Sequence, residues 1–152
     1  MKVVGTGAPV ALTLRLRERE LRGLSDELEH RRRVVDEAME TAIDQGRGFV
    51  SERDDGRTSA EIVLAIVAMQ DLITRAVPNA ESRFVITGPT WLLGPAIRGA
   101  SIDATERLVD ALRKFADSGR SAEGLRDAVG DASAWSETLI GLDHAENFGL
   151  KA

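Results

Sequence analysis

Residues 10–43 decide the fold, and they read VALTLRLRERELRGLSDELEHRRRVVDEAMETAI. Apolar residues recur there every seven positions, the spacing of a stripe along one side of an α-helix. One position of the repeat is apolar throughout: Leu14, Leu21, Leu28, Val35 and Ala42. The second position reads Val10, Arg17, Leu24, Arg31 and Ala38. The pattern predicts one coiled-coil-like helix over residues 9–45, about 50 Å long.

Charges and end signals agree with a helix here. Acidic residues precede basic ones by four positions, the favourable order on a helix; the pairs are Glu18 with Arg22, Glu27 with Arg31, and Glu29 with Arg33. Pro9 suits a first helical turn. Gly46 can adopt the left-handed conformation that ends a helix.

A second interpretation applies to residues 10–16. Val10, Leu12, Leu14 and Leu16 alternate with Ala11, Thr13 and Arg15, which is typical of a strand leading into a shorter helix from Glu18. The unbroken seven-residue repeat and the lack of a turn residue favour one helix.

The next helix is expected over residues 58–77. Thr58 and Glu61 have the spacing of a capping box at a helix start, and Pro78 ends the helix. Its residues are apolar almost all round: Ile62, Val63, Leu64, Ile66, Val67, Met69, Leu72 and Ile73. Such a helix lies either at the centre of a bundle or under a second chain.

The rest of the chain reads as an irregular connection followed by helices. Residues 78–102 contain two Gly-Pro steps, at Gly88-Pro89 and Gly94-Pro95, and residues 83–87 are one short strand or an extended run. Residues 103–140 are expected to form C-terminal helices, divided at Gly130, before a tail over 141–152. Residues 1–8 are expected to be a flexible leader.

Composition excludes several classes of protein. The chain of 152 residues suits one domain; with 4% aromatic residues and no Tyr, its core must be aliphatic. The absence of Cys excludes disulfides, thiolate nucleophiles and zinc sites with sulfur ligands. A net charge of −5 is the wrong sign for a protein that depends on neutralising phosphates. The most apolar run, residues 62–69, is too short to cross a membrane, and a cytoplasmic location is expected.

Candidate chemical sites are weak. Gly5-Thr6-Gly7 lacks the third glycine of a dinucleotide turn. Glu27 and His30 match only half of a di-iron motif, and Asp54-Asp55 is better explained as a turn than as a cation site. The basic cluster Arg31, Arg32 and Arg33 lies among acidic residues that can neutralise it. We therefore expect no catalytic residue, no cofactor and no metal.

The Trp91 segment is the remaining candidate. A tryptophan between two Gly-Pro steps is costly to expose, so Trp91, Leu92 and Leu93 either plug the core, dock a partner or cover a ligand pocket.

Together these features predict an all-α bundle of four to five helices with an irregular Gly/Pro-containing central connection. The predicted function is a non-enzymatic assembly or adaptor protein that binds itself, as a homo-oligomer, or another protein. This prediction depends on an N-terminal helix too long for its own domain to cover. The expected interface residues are Leu14, Leu21, Leu24, Leu28, Val35, Trp91, Leu92 and Leu93. The alternatives are an enzymatic or small-molecule-binding domain with a pocket under the Trp91 loop, and a nucleic-acid-associated protein using Arg31, Arg32 and Arg33.

Overall fold

A computed structural model describes residues 11–46, 57–118 and 122–148. Within these ranges six elements follow one another: β1 (Ala11–Leu16), α1 (Glu18–Asp44), α2 (Ser59–Arg75), β2 (Phe84–Pro89), α3 (Thr90–Ser118) and α4 (Ala122–Phe148). The prediction of a mainly helical chain is confirmed. The all-α class is corrected, because β1 and β2 form a two-stranded sheet. The predicted leader over residues 1–8 lies outside the described ranges.

The N-terminal region is a strand and a helix, so the prediction of one helix over residues 9–45 is wrong. Leu12, Leu14 and Leu16 are all buried, and the residues between them are exposed. A strand buries all three leucines on one face, whereas a helix would have aligned only Leu14 with the seven-residue stripe. Helix α1 starts at Glu18 and has 27 residues, which makes it about 40 Å long.

The two strands run antiparallel, with Leu14 opposite Ile86 and Leu16 opposite Phe84. The sheet is half-buried: Ile86 lies in the core, while the hydroxyls of Thr13 and Thr87 are 3.0 Å apart on the exposed face. Strand β2 overlaps the short strand anticipated over residues 83–87.

The predicted irregular connection over residues 78–102 is corrected in its second half. Gly88-Pro89 ends β2, and α3 begins directly after it at Thr90. Pro95 lies inside α3, in the second turn, where a proline removes one backbone hydrogen bond near the helix start. Three small residues four positions apart are buried on this helix and allow close packing: Ala96, Ala100 and Ala104.

Helix α4 is continuous from Ala122 to Phe148, so the predicted break at Gly130 and the predicted tail from residue 141 are wrong. A glycine costs only about 1 kcal/mol inside a helix, which tertiary packing overcomes here. Trp135, 1% exposed, is among the largest fully buried side chains and packs into this core.

One hydrophobic core joins all six elements, and α1 contacts the other three helices and β1. Helix α1 ends as predicted, with Gly46 in the left-handed region at φ 65°. No helix among the described residues is both long and apolar enough to span a bilayer.

Candidate functional site

Helix α2 has ends that the sequence predicts well. The Thr58 hydroxyl accepts a hydrogen bond from the Glu61 N–H, and the Glu61 carboxylate accepts one from the Thr58 N–H, each 3.3 Å. The predicted capping box is therefore confirmed. At the other end, Arg75 forms an ion pair with Asp71 at 2.6 Å, and the helix stops three residues before Pro78.

One side of α2 belongs to the core. Its buried residues recur at the three- and four-residue spacing of a single helix face, and they are Ser59, Ile62, Ile66, Met69 and Ile73. Their neighbours include α1 and β2. This side accounts for four of the eight large apolar residues in the helix.

The opposite side of α2 faces solvent although it is apolar. Leu64 is 69% exposed, Leu72 46% and Val67 41%, and Ala60 and Ala68 are exposed beside them. We call these five residues the α2 outer face. The expectation of a wholly buried helix is wrong on this side, because the described part of the chain places no element over it. An all-apolar helix lies either at the centre of a bundle or under a second chain. Leu64 does not lie at the centre of this bundle, because it is exposed.

The predicted interface residues of the N-terminal region instead form the core of the single chain. Leu24 and Leu28 are fully buried, and Leu14, Leu21 and Val35 are at most 8% exposed. They pack against the chain's own helices and sheet in one cluster. The apolar stripe is therefore covered within one subunit. The prediction of assembly depended on an N-terminal helix too long for its own domain to cover, and this chain has no such helix among its described residues.

Trp91 lies in the first turn of α3 and not in a loop. Its ring is half-buried, and the guanidinium carbon of Arg57 lies 4.3 Å from the ring centroid. The corresponding distance for Arg31 is 5.8 Å. Contacts of this kind contribute about 0.5–1 kcal/mol each at exposed sites. Leu92 and Leu93 are fully buried, so these two leucines plug the core.

The basic cluster on α1 is neutralised locally, as its sequence context indicates. Arg33 lies 3.6 Å from Glu29, and Arg32 lies 3.9 Å from Asp36 and 4.0 Å from Glu29. Of the predicted helical pairs, Glu18 with Arg22 and Glu29 with Arg33 form. Glu27 forms a hydrogen bond with Asp103, and the guanidinium carbon of Arg31 lies 5.8 Å from the centroid of the Trp91 ring.

An acidic pocket lies between α1 and α3. Asp26, Glu27, His30, Gly99, Ile102 and Asp103 line a cavity of about 400 Å³. Burial, followed by a hydrogen bond and charge repulsion from Asp103 and repulsion from Asp26, raises the pKa of Glu27 to about 7. A Cβ atom on Gly99 would overlap the Glu27 carboxylate, so the glycine makes room for this group.

The acidic pocket does not complete a metal site. Glu27 and His30 both line it, but no group of three or more potential metal ligands occurs among the described residues. His144 is the second histidine of the chain, and its side chain lies outside the described residues, as do Asp54-Asp55 and Gly5-Thr6-Gly7.

A second cavity, of about 600 Å³, runs along β1 beside α4. Four consecutive strand residues line it, from Leu12 to Arg15, together with Glu137, Thr138, Gly141 and Leu142 of α4. The Thr138 hydroxyl is already engaged, because it contacts a Glu20 carboxylate oxygen at 2.8 Å and the Ala134 carbonyl at 3.2 Å. The charged side chains in the lining are those of Arg15 and Glu137.

No protein-family model, curated protein or solved structure matches this chain. The α2 outer face is the feature that sequence reasoning missed. The signal was present, since the helix is apolar all round, but that pattern alone does not tell which side the rest of the chain covers.

Proposed function

We propose that this chain is a non-enzymatic assembly or adaptor protein that binds another protein, most simply a second copy of itself, through the α2 outer face. The observation that carries the proposal is the exposure of Leu64, at 69%, in the middle of a row of apolar residues. Single exposed apolar residues are ordinary on protein surfaces, but a contiguous apolar patch marks an interaction site. The helix–helix interface that the sequence predicts for the N-terminal helix is therefore proposed for α2 instead.

The form of the patch supports a helix as the partner element. Helix α2 has 17 residues, and the α2 outer face extends about 18 Å along it, from Ala60 to Leu72. Its apolar residues follow helical spacing, which fits the packing of one helix along another. The cytoplasmic location also remains part of the proposal.

The two alternative functions have less support. Arg57 lies close over the Trp91 ring, and Leu92 and Leu93 are core residues, which weakens the proposal of a pocket under Trp91. Arg32 and Arg33 lie beside Glu29 and Asp36, which weakens the proposal that they bind nucleic acid.

The test is the solution mass of three proteins, measured by light scattering at high micromolar concentration. The wild-type chain of 16.4 kDa should elute as an oligomer, and Leu64→Asp should reduce it to a monomer. Ile140→Asp is the matched control, because Ile140 on α4 is also 69% exposed and should leave the mass unchanged. A monomeric wild-type protein, or equal effects of the two variants, would contradict self-assembly through this face.

A further inference from the structure

Four exposed residues of α2 are arranged symmetrically about Ala68. Leu64 lies four residues before Ala68 and Leu72 four residues after it, while Glu61 lies seven residues before and Arg75 seven after. At 100° per residue, these five positions fall within about 80° of one another around the helix axis. One exposed side of α2 therefore carries the order acid, leucine, alanine, leucine, base.

We infer that two copies of this chain pair through α2 in an antiparallel arrangement, with the two-fold axis passing next to Ala68. This inference rests on the proposed function and names its partner and geometry. In a two-fold interface, each contact occurs twice with the partners exchanged. The symmetric order satisfies that condition, because Leu64 meets Leu72 of the second copy and Glu61 meets Arg75 of the second copy.

The apolar contacts fit this arrangement. Leu64 of one copy meets Leu72 of the other, which covers two leucines that are 69% and 46% exposed in the single chain. The small side chain of Ala68 lies where the helix axes cross, which allows the close approach of about 8 Å at the short end of helix packing distances. Val67 lies at the edge of the same contact and is 41% exposed.

Charge decides between the two directions of pairing. In the antiparallel pair, Glu61 faces Arg75 of the second copy at both ends of the interface. Arg75 already binds Asp71 at 2.6 Å in its own chain, so the contact extends an existing ion pair. A parallel pair would place Glu61, Asp71 and Arg75 each opposite its own copy, and like charges across an interface are unfavourable. Opposed helix dipoles also favour the antiparallel direction.

Engineered cysteines test the geometry, because the chain has none of its own. Ala68→Cys should form a disulfide-linked dimer in air, since the two residues meet at the axis. Leu64→Cys alone should not, because its two copies would be about 12 Å apart along the helices, beyond the roughly 7 Å limit for a disulfide. An equimolar mixture of Leu64→Cys and Leu72→Cys should link as a heterodimer.

Charge exchange provides an independent measurement. Glu61→Arg and Arg75→Glu should each weaken the dimer roughly tenfold, through two repelling pairs each, and the double variant should restore it. Efficient linking of Leu64→Cys with itself would overturn the antiparallel geometry while leaving the proposed function intact. A wild-type monomer that shows no linking in any variant would overturn both.

Discussion

Thr138 of α4 donates a hydrogen bond of 2.8 Å to the Oε2 atom of Glu20, in the first turn of α1. Glu20 is a charged residue that is only 4% exposed. Its other oxygen accepts a hydrogen bond from the Arg17 N–H at 3.3 Å. Buried carboxylates require such partners, so Thr138 connects the last helix to the start of the first.

Replacing Thr138 by valine should lower the free energy of unfolding by about 1–3 kcal/mol, the cost of a buried group that loses its partner. Thr105→Val is the matched control, because the Thr105 hydroxyl donates only to the Ser101 carbonyl of its own helix, at 2.9 Å. Thr138 makes a similar contact to Ala134, so the difference between the variants isolates the Glu20 bond. Urea denaturation measures it, and equal losses would contradict this role.

The N-terminal region shows where sequence patterns reach their limit. Leu14 fits both the two-residue repeat of a strand and the seven-residue repeat of a helix, so local sequence allows either. The decision depends on β2, which lies far along the chain and pairs with β1 from Ala11 to Leu16. Local signals were sufficient at Thr58 with Glu61 and at Gly46, because a cap depends only on its near neighbours.

The candidate site was only half predictable for a similar reason. The sequence of α2 indicates apolar sides all round, but which side is covered depends on how the other elements pack. Gly23 of α1 also lies close to the Trp135 ring of α4, since a Cβ on Gly23 would lie 3.2 Å from Cζ2 of Trp135. No sequence pattern predicts this proximity, because the two residues lie on different helices.

Two glycine-to-alanine substitutions should change the melting temperature in opposite directions. Alanine stabilises a helix by about 0.5–1 kcal/mol over glycine, and Gly130 has open space around a Cβ, so Gly130→Ala should raise the melting temperature. A Cβ on Gly23 would lie 3.2 Å from Cζ2 of Trp135, whose ring is held in the core. Gly23→Ala should therefore lower the melting temperature through overpacking. Thermal unfolding followed by circular dichroism compares them, and a gain in both would show that Trp135 has room to move.

Substitution by aspartate should have different effects on the exposed side and on the buried side of α2. Leu64→Asp should fold with wild-type helical content, since Leu64 points to solvent. Ile66→Asp should not fold, because Ile66 is fully buried and an unpaired buried charge is strongly unfavourable. Far-ultraviolet circular dichroism and soluble yield measure both, and failure of Leu64→Asp to fold would restore α2 to the centre of the bundle.

Leu21→Asp tests whether the apolar stripe of α1 belongs to the core of one chain or to an interface between chains. Leu21 is 8% exposed and belongs to the hydrophobic core of one chain. The substitution should therefore unfold the protein, with loss of the helical signal. If the variant stays helical and only its mass changes, the stripe is an interface between chains after all.

The acidic pocket should make stability depend on pH. The pKa of Glu27 rises from 4.5 to about 7 on folding, so the folded chain holds a proton there that the unfolded chain releases. The resulting stabilisation is complete below pH 4.5, declines as the pH rises, and is lost above about pH 7. Asp26, His30 and Asp103 line the same pocket. The change should appear as a fall in the free energy of unfolding between pH 4.5 and about pH 7.

Glu27→Gln isolates the contribution of this one group. The variant cannot ionise at residue 27, so it should be more stable than the wild type at pH 8 and close to it at pH 4.5, where Glu27 is protonated in the folded chain. Glu37→Gln, at an exposed position of the same helix, should leave the pH profile unchanged. Urea denaturation at both pH values gives the comparison. A wild-type profile that Glu27→Gln does not flatten would mean that the Glu27 carboxylate is already charged at pH 5 in the folded chain.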